Sequence, residues 1–216
     1  LRSIADKRNF DSQHEAQRRK AGLVAIRETT EAKIFAGALH ALARQGPKKM
    51  TMIDIATHSG VSEGTLHRYF KNKEAILAAL GDHLVTKFEG VLQQAITEQP
   101  EPADRLRVVI DISLRFWQEN PATLQLGQLE AVFAVDFIKG VVPQLSRVLR
   151  KALEPILSDS AAARNGLATV DEIVDLITRT AFSHYFMPAD DYCDLRDLLV
   201  MLGQSAGLQP KKSRAR

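Results

Sequence analysis

The chain holds a single cysteine, Cys193, in 216 residues. An internal disulfide is therefore impossible, and a fold held by cross-links is excluded. One thiol suits a reducing cytoplasm, which is the expected location. No apolar run approaches the roughly 20 residues that a membrane helix needs, and no secretory signal is visible. The chain opens on Leu1, so an initiating methionine or a longer initial segment is expected to precede it. No period-two alternation persists, which argues against a sheet. A glycine-rich phosphate loop, a nucleophile elbow and an H-E-x-x-H helix are all missing. An enzyme would thus lack its usual signatures, and no cofactor is expected. His184, Asp190, Asp191 and Cys193 lie close in sequence. Their spacing fits no common zinc pattern, and Asp191 has a simpler task as a helix cap, so no metal is expected either. There is no internal repeat.

What is present is an uneven charge. The formal net charge is only +3. Residues 1–73 carry 14 Lys/Arg against 7 Asp/Glu, while residues 74–208 carry 11 against 19. Lys211, Lys212, Arg214 and Arg216 then close the chain with four more positive charges. A basic front on an acidic body is what a phosphate-binding module needs, because neutralising phosphates supplies much of its affinity.

The basic part contains MTMIDIATHSGVSEGTLHRYFKNKEAILAAL, from Met50 to Leu80. Thr51 is placed to cap a helix starting at Met52. Ile53 and Ala56 fall three apart on its expected apolar face. Gly60 suits a sharp turn, since a left-handed backbone costs glycine little. Ser62 can cap the next helix, whose Leu66, Tyr69 and Phe70 point back toward a core. Ala56 is small enough for the second helix to cross closely over the first. Two short helices joined in this way form a helix-turn-helix, whose second member enters a DNA major groove.

The same run resembles the DNA-binding domain of the TetR family of transcriptional regulators. Ile55-Ala56, Gly60-Val61-Ser62, Gly64-Thr65-Leu66, Tyr69-Phe70 and Lys73-Glu74 all fit that family's pattern. His67 departs from the usual tyrosine, and a bond from it to phosphate would depend on pH near neutrality. The close match covers about residues 30–80; beyond it only length and helical character agree.

The remaining periodicity is helical as well. A first helix is expected from about Thr30 to Gln45, with Gly46 ending it, and a fourth from about Lys73 to Thr97. Leu106, Val109, Ile110, Ser113, Phe116 and Trp117 mark one face of a further helix. Asn120-Pro121 reads as the start of the next. Val141, Leu145, Val148, Leu149 and Ala152 continue the pattern, with Gly140 and Pro143 expected to kink or restart it. Residues 158–168 read as a loop. Thr169 and Glu172 form a capping box before a helix that Pro188 must stop. Asp191 can cap a last helix bearing Leu195, Leu198, Leu199 and Leu202.

The fold class expected is all-α, an N-terminal three-helix helix-turn-helix domain plus a C-terminal helical bundle. Its divisions are a basic N-terminal arm (1–28), the DNA-binding domain (29–75), the effector-binding and dimerisation domain (76–207) and a basic disordered tail (208–216). Base reading falls to Glu63, Gly64 and Thr65. Phosphate contacts fall to Thr51, Ser62, His67, Tyr69 and Lys73. Arg18, Arg19 and Lys20 either reach a minor groove or lie on a solvated tail. The resemblance implies that the bundle binds a small effector and pairs through its last two long helices. Phe116, Trp117, Gln125, Leu129, Phe133 and His184 are the candidates for an apolar pocket, with Gln128 and Arg115 as further polar contacts. Ile173, Ile177, Leu198 and Leu202 are the candidates for a homodimer interface. The partners expected are double-stranded DNA, a second copy and a largely apolar small molecule. The competing class is a helical enzyme or small-molecule carrier with a helix-turn-helix-like corner and no DNA function.

Overall fold

The computed structural model describes residues 2–119, 131–158, 160–187, 192–205 and 207–208, with the backbone alone for 2–24, 118, 131–132 and 192–194. Among these residues the regular structure is helical throughout. The elements are α1 (Arg2–Lys49), α2 (Met52–Ser59), α3 (Glu63–Tyr69), α4 (Lys73–Glu98), α5 (Arg105–Glu119), α6 (Ala131–Leu157), α7 (Ala161–Arg164), α8 (Val170–Phe186) and α9 (Tyr192–Ser205). The fold is all-α, as the periodicity requires, and no described helix is long and apolar enough to cross a membrane. The chain divides into two compact units, Leu1–Ile76 and Leu77–Arg216.

In the first unit α1 begins far earlier than its apolar stripe. Helical backbone starts at Arg2, so the stretch expected to be an arm is the first part of α1. Gly46 interrupts the helix with φ 74°, ψ 167°, a conformation that favours glycine, and Pro47 follows it. The stripe itself is as expected: Ile34, Ala38, Leu39 and Leu42 are buried, joined by Phe35 and Ala41. One position on this face has no side chain for a steric reason. A Cβ added at Gly37 would lie 2.5 Å from the Ser59 backbone nitrogen and 2.7 Å from its Cβ. The close crossing of α1 and α2 therefore rests on Gly37.

The second unit is organised around α5, which packs against α6, α8 and α9. Its apolar surface is wider than one stripe, since Val108, Ile112 and Leu114 are buried along with the six expected positions. Arg107, Asp111, Arg115 and Glu119 form the remaining polar strip, at steps of four. Such a helix is a core element, polar along one line only. In α6 the chain does not restart at Gly140 or Pro143: one helix runs from Ala131 to Leu157 through Pro143 and Pro155. Both prolines lie on the exposed side, where a carbonyl deprived of its partner can bond to water instead. The expected loop at 158–168 contains α7, capped by Ser160, whose hydroxyl accepts from the Ala163 amide at 3.2 Å. The capping box of α8 forms as read, with Glu172 bonding back to the Thr169 amide at 2.7 Å. Asn120, Pro121, Pro188, Asp191 and the tail from 209 lie outside the described residues.

Two glycines should respond oppositely to alanine. Each gains up to about 1 kcal/mol of helix propensity. At Gly90 nothing lies within 4 Å of the new methyl group, so Gly90→Ala should raise the melting temperature. At Gly37 the methyl meets backbone, and overpacking of that kind costs about 1–3 kcal/mol. Gly37→Ala should therefore lower the melting temperature. A stabilised Gly37→Ala variant would show that the crossing is not constrained there.

Candidate nucleic-acid interface

Three caps and one glycine set the shape of the interface. The Thr51 hydroxyl accepts from the Asp54 amide at 3.2 Å, and the Asp54 carboxylate accepts from the Thr51 amide at 2.9 Å. This reciprocal box starts α2 and satisfies two otherwise unpaired N–H groups. The hydrogen bond from the Thr51 hydroxyl, then those from Gln45 and the Thr51 amide, hold the Asp54 carboxyl below its ordinary pKa. Its folded-state pKa is thus depressed. The box contributes stability above the unfolded pKa and loses it as pH falls through the folded one.

The buried face of α2 is Ile55, Ala56 and Ser59. Ile53, read from the sequence as apolar-face, is 58% exposed. The reason is angular: positions 55, 56 and 59 cluster on one side of a helix, and position 53 lies off that side. Gly60 ends α2 at φ 66°, and its N–H reaches the Ala56 carbonyl. The Val61 amide bonds to the same carbonyl at 3.3 Å. This closes the turn that aims α3.

Ser62 caps α3 by accepting from the Thr65 amide at 3.1 Å, and it donates to the Thr65 hydroxyl at 3.0 Å. Leu66 is fully buried, and Phe70 packs on Phe35 with ring centroids 5.8 Å apart. These inward anchors leave Ser62, Glu63, Gly64, His67 and Arg68 exposed, with Thr65 and Tyr69 half-buried. The Arg68 guanidinium lies 5.7 Å from the centre of the Tyr69 ring. A methyl group at Gly64 would meet nothing within 4 Å. Folding of this chain thus gives no reason for a glycine there, whereas close approach of another molecule does.

Lys73 is placed differently from the phosphate contact that its position suggested. Its Nζ donates to the carbonyls of Pro47 at 2.9 Å, Met50 at 3.1 Å and Lys48 at 3.4 Å. An ammonium has three protons, and three carbonyls receive them. Lys73 therefore clamps the segment after Gly46 to the start of α4. Asn72 caps that helix by accepting from the Ala75 amide at 2.9 Å. Neither role was legible, since both partners are remote carbonyls or follow an unflagged asparagine. Arg68 and Lys71 are exposed cations that the sequence reading passed over. Arg18, Arg19 and Lys20 lie in α1, but their side chains are outside the described residues.

The candidate effector residues separate. Phe116 and Trp117 are buried in an aromatic cluster, 5.1 Å apart, with Phe88 5.2 Å from Phe116 and Phe182 5.4 Å from Trp117. Phe133 is half-buried beside Phe137. His184 is buried, and burial pushes its pKa below the ordinary histidine value, favouring the neutral ring. Arg115 pairs with Asp111 at 2.9 Å. Gln125, Gln128 and Leu129 lie outside the described residues, as do Asp190 and the side chain of Cys193. Of the candidate dimer residues, Leu198 and Leu202 are exposed, Ile177 is half-buried and Ile173 is buried within its own chain. A buried Ile173 is committed to the core and cannot lead an interface.

Two substitutions separate folding from binding. Gly64→Ala should leave the melting temperature unchanged or slightly raised, while weakening retention of DNA in a gel-shift assay. Lys73→Ala should cost about 1.5–3 kcal/mol in chemical denaturation, the usual worth of hydrogen bonds to a charged group. The slope of DNA affinity against salt should stay at the wild-type value, since no phosphate contact is lost. A slope smaller by about one would return Lys73 to the phosphates.

The comparisons agree with this geometry. The profile described as "Bacterial regulatory proteins, tetR family" matches residues 34–80, from the α1 stripe into α4. A nucleoid occlusion factor SlmA of Serratia proteamaculans (strain 568) is 27% identical over 132 residues, 59% of this chain and 65% of that protein. The chain thus spans just under two thirds of that relative. An uncharacterized HTH-type transcriptional regulator of Mycobacterium tuberculosis (strain CDC 1551 / Oshkosh) is 27% identical over 173 residues, 78% of this chain and 80% of that protein. Among solved structures, the fatty acid degradation regulator FadR from Bacillus halodurans shares the fold. Its TM-score is 0.59 at 18% identity, covering 86% of this chain and 97% of that one.

Proposed function

The chain belongs to the TetR family of bacterial regulatory proteins and is a DNA-binding regulator, not an enzyme; from that premise we propose a repressor released from a palindromic operator by a small apolar effector. The observation that carries the reading is the outward edge of α3. Leu66 is fully buried while Glu63, Gly64 and His67 are exposed, so the helix is anchored by one side and bare on the other. A recognition helix in a major groove needs that division. Thr65, Glu63 and the open backbone at Gly64 read base edges; Ser62, His67 and Thr51 are placed for phosphates. Glu63 can accept from a cytosine amino group. The reading implies a cytoplasmic protein.

Pairing supplies the second half of a palindrome. Leu176, Leu198, Met201 and Leu202 on α8 and α9 are each 47–62% exposed. Large apolar side chains concentrated on two successive helices support a homodimer through them. Two α3 helices then have one spacing, and an effector that favours another spacing lowers DNA affinity by no more than its own differential affinity. The likeness to a nucleoid occlusion factor favours a second reading, DNA binding that acts on the nucleoid and not on transcription.

The test uses duplexes from the DNA flanking the protein's own coding region. Wild type should retain one of them in a gel, with affinity falling steeply as salt rises. Leu198→Glu with Met201→Glu should give a folded monomer by light scattering and circular dichroism, with much weaker retention. A double variant that stays dimeric at micromolar concentration would move the interface elsewhere. Binding without any change in transcript levels on deletion would favour the second reading.

A further inference from the structure

The second unit contains a cavity of about 220 Å³ between α5, α8 and α9. Its walls include Ile110 and Leu114 from α5, Ile173 and Ile177 from α8, and Leu199 and Leu202 from α9. The lining is almost wholly aliphatic. Two hydroxyls interrupt it, those of Ser113 and Thr180. They behave differently. Thr180 donates to the Leu176 carbonyl at 2.8 Å, the usual bond of a helical hydroxyl to the fourth residue before it. Thr86, Thr97 and Thr178 do the same at 2.8–2.9 Å. Ser113 does not. It is 2% exposed, and its Oγ has no hydrogen-bond partner among the described residues.

A buried hydroxyl without a partner is costly, and such groups call for an explanation. A core helix position surrounded by leucine and isoleucine would be filled more stably by alanine. Ser113 lines the apolar cavity and its hydroxyl is left without a partner; a turn about its χ1 bond would give the cavity a single polar anchor, which is the composition of a small-molecule site. Size adds to this. A dry cavity of about 150 Å³ already takes benzene. A volume of about 220 Å³ suits a substituted ring or a short branched chain.

We propose that the cavity at Ser113 binds a small, uncharged, mainly hydrocarbon molecule carrying one hydroxyl or carbonyl group that bonds to Ser113 Oγ. The inference rests on the effector reading above and gives that effector a place and a chemical class. The aromatic cluster of Phe116 and Trp117 is not that place, because its rings pack on one another. Among the described residues no cation or carboxylate lines this cavity, so an uncharged ligand fits it best. Leu176 and Leu202 belong both to the wall and to the exposed apolar set on α8 and α9. Occupancy therefore presses on the helices through which pairing is proposed, and a ligand there can alter the spacing of two DNA-binding units.

A pair of probes that differ by one hydroxyl tests the site: 4-ethylphenol and ethylbenzene, titrated into the full chain by calorimetry. Trp117, the only tryptophan and one turn from Ser113, gives a second readout by fluorescence. Wild type should bind both and favour the phenol. In Ser113→Ala the ratio of the two affinities should shift toward ethylbenzene by about tenfold, the loss of one hydrogen bond. The variant should melt no lower than wild type, because the hydroxyl contributes nothing to the fold by itself. Absence of binding by wild type, or an unchanged ratio in Ser113→Ala, would overturn the proposal. Repeating the titration on the DNA complex separates the two readings. Equal binding to free and DNA-bound protein would end the effector reading while leaving the Ser113 site in place.

Discussion

The DNA-binding unit depends on a backbone contact that no side chain can replace. At Gly37 the helix surface of α1 lies so near Ser59 that even a methyl group would collide with main-chain atoms. That contact fixes the end of α2. The left-handed Gly60 then sends the chain into α3 over two residues, and the Ser62 cap fixes where that helix starts. Each step is short and stiff. Position is thus transmitted from the long α1 to the exposed edge of α3 with little freedom to lose on binding. Lys73 closes the same unit from its other end. Its ammonium gathers the carbonyls of Pro47 and Lys48 in the last turn of α1, after the break at Gly46, and of Met50 just beyond it.

The charge balance has to be read with that clamp in mind. A basic segment supplies affinity only through cations that face phosphate. Lys73 faces inward, so its charge holds the unit together and its protons are occupied. Arg68 and Lys71 are exposed and remain on the outside. The balance of lysine and arginine singles out residues 1–73, which contain most of the family match, but it does not say which of those cations are structural.

The sequence made some features plain because their physics is local. Thr51, Ser62, Thr169 and Gly60 act within four residues of themselves, and each does what its residue type dictates. Helical periodicity likewise located the faces of α1 and α5. The misreadings share a different origin. Ile53 follows a three-residue step from Ala56, yet the face is set by what α2 packs on, which periodicity in an eight-residue helix does not specify. Pro143 stays within α6 because its side of the helix is exposed, a matter of tertiary placement. Phe116 and Trp117 suggested a pocket through their size, but large rings fill space as readily as they line it. Ser113 drew attention only as one member of an apolar face. Its significance comes from the missing carbonyl bond and the chamber beside it, neither of which has a sequence signature.

The first unit holds a stiff helix-turn-helix with a bare edge on α3, and the second an aliphatic chamber whose walls include the exposed Leu176 and Leu202. The central claim is that the bare edge of α3 reads DNA as a pair. Selection of bound duplexes from a random library, with wild type and with Thr65→Ala, tests it most directly. The account requires wild type to select a palindrome with half-sites about one helical turn apart or a multiple of that. Thr65→Ala should lose preference at one symmetric pair of positions and keep the others. A wild-type selection without symmetry, or an identical consensus from both proteins, would contradict it.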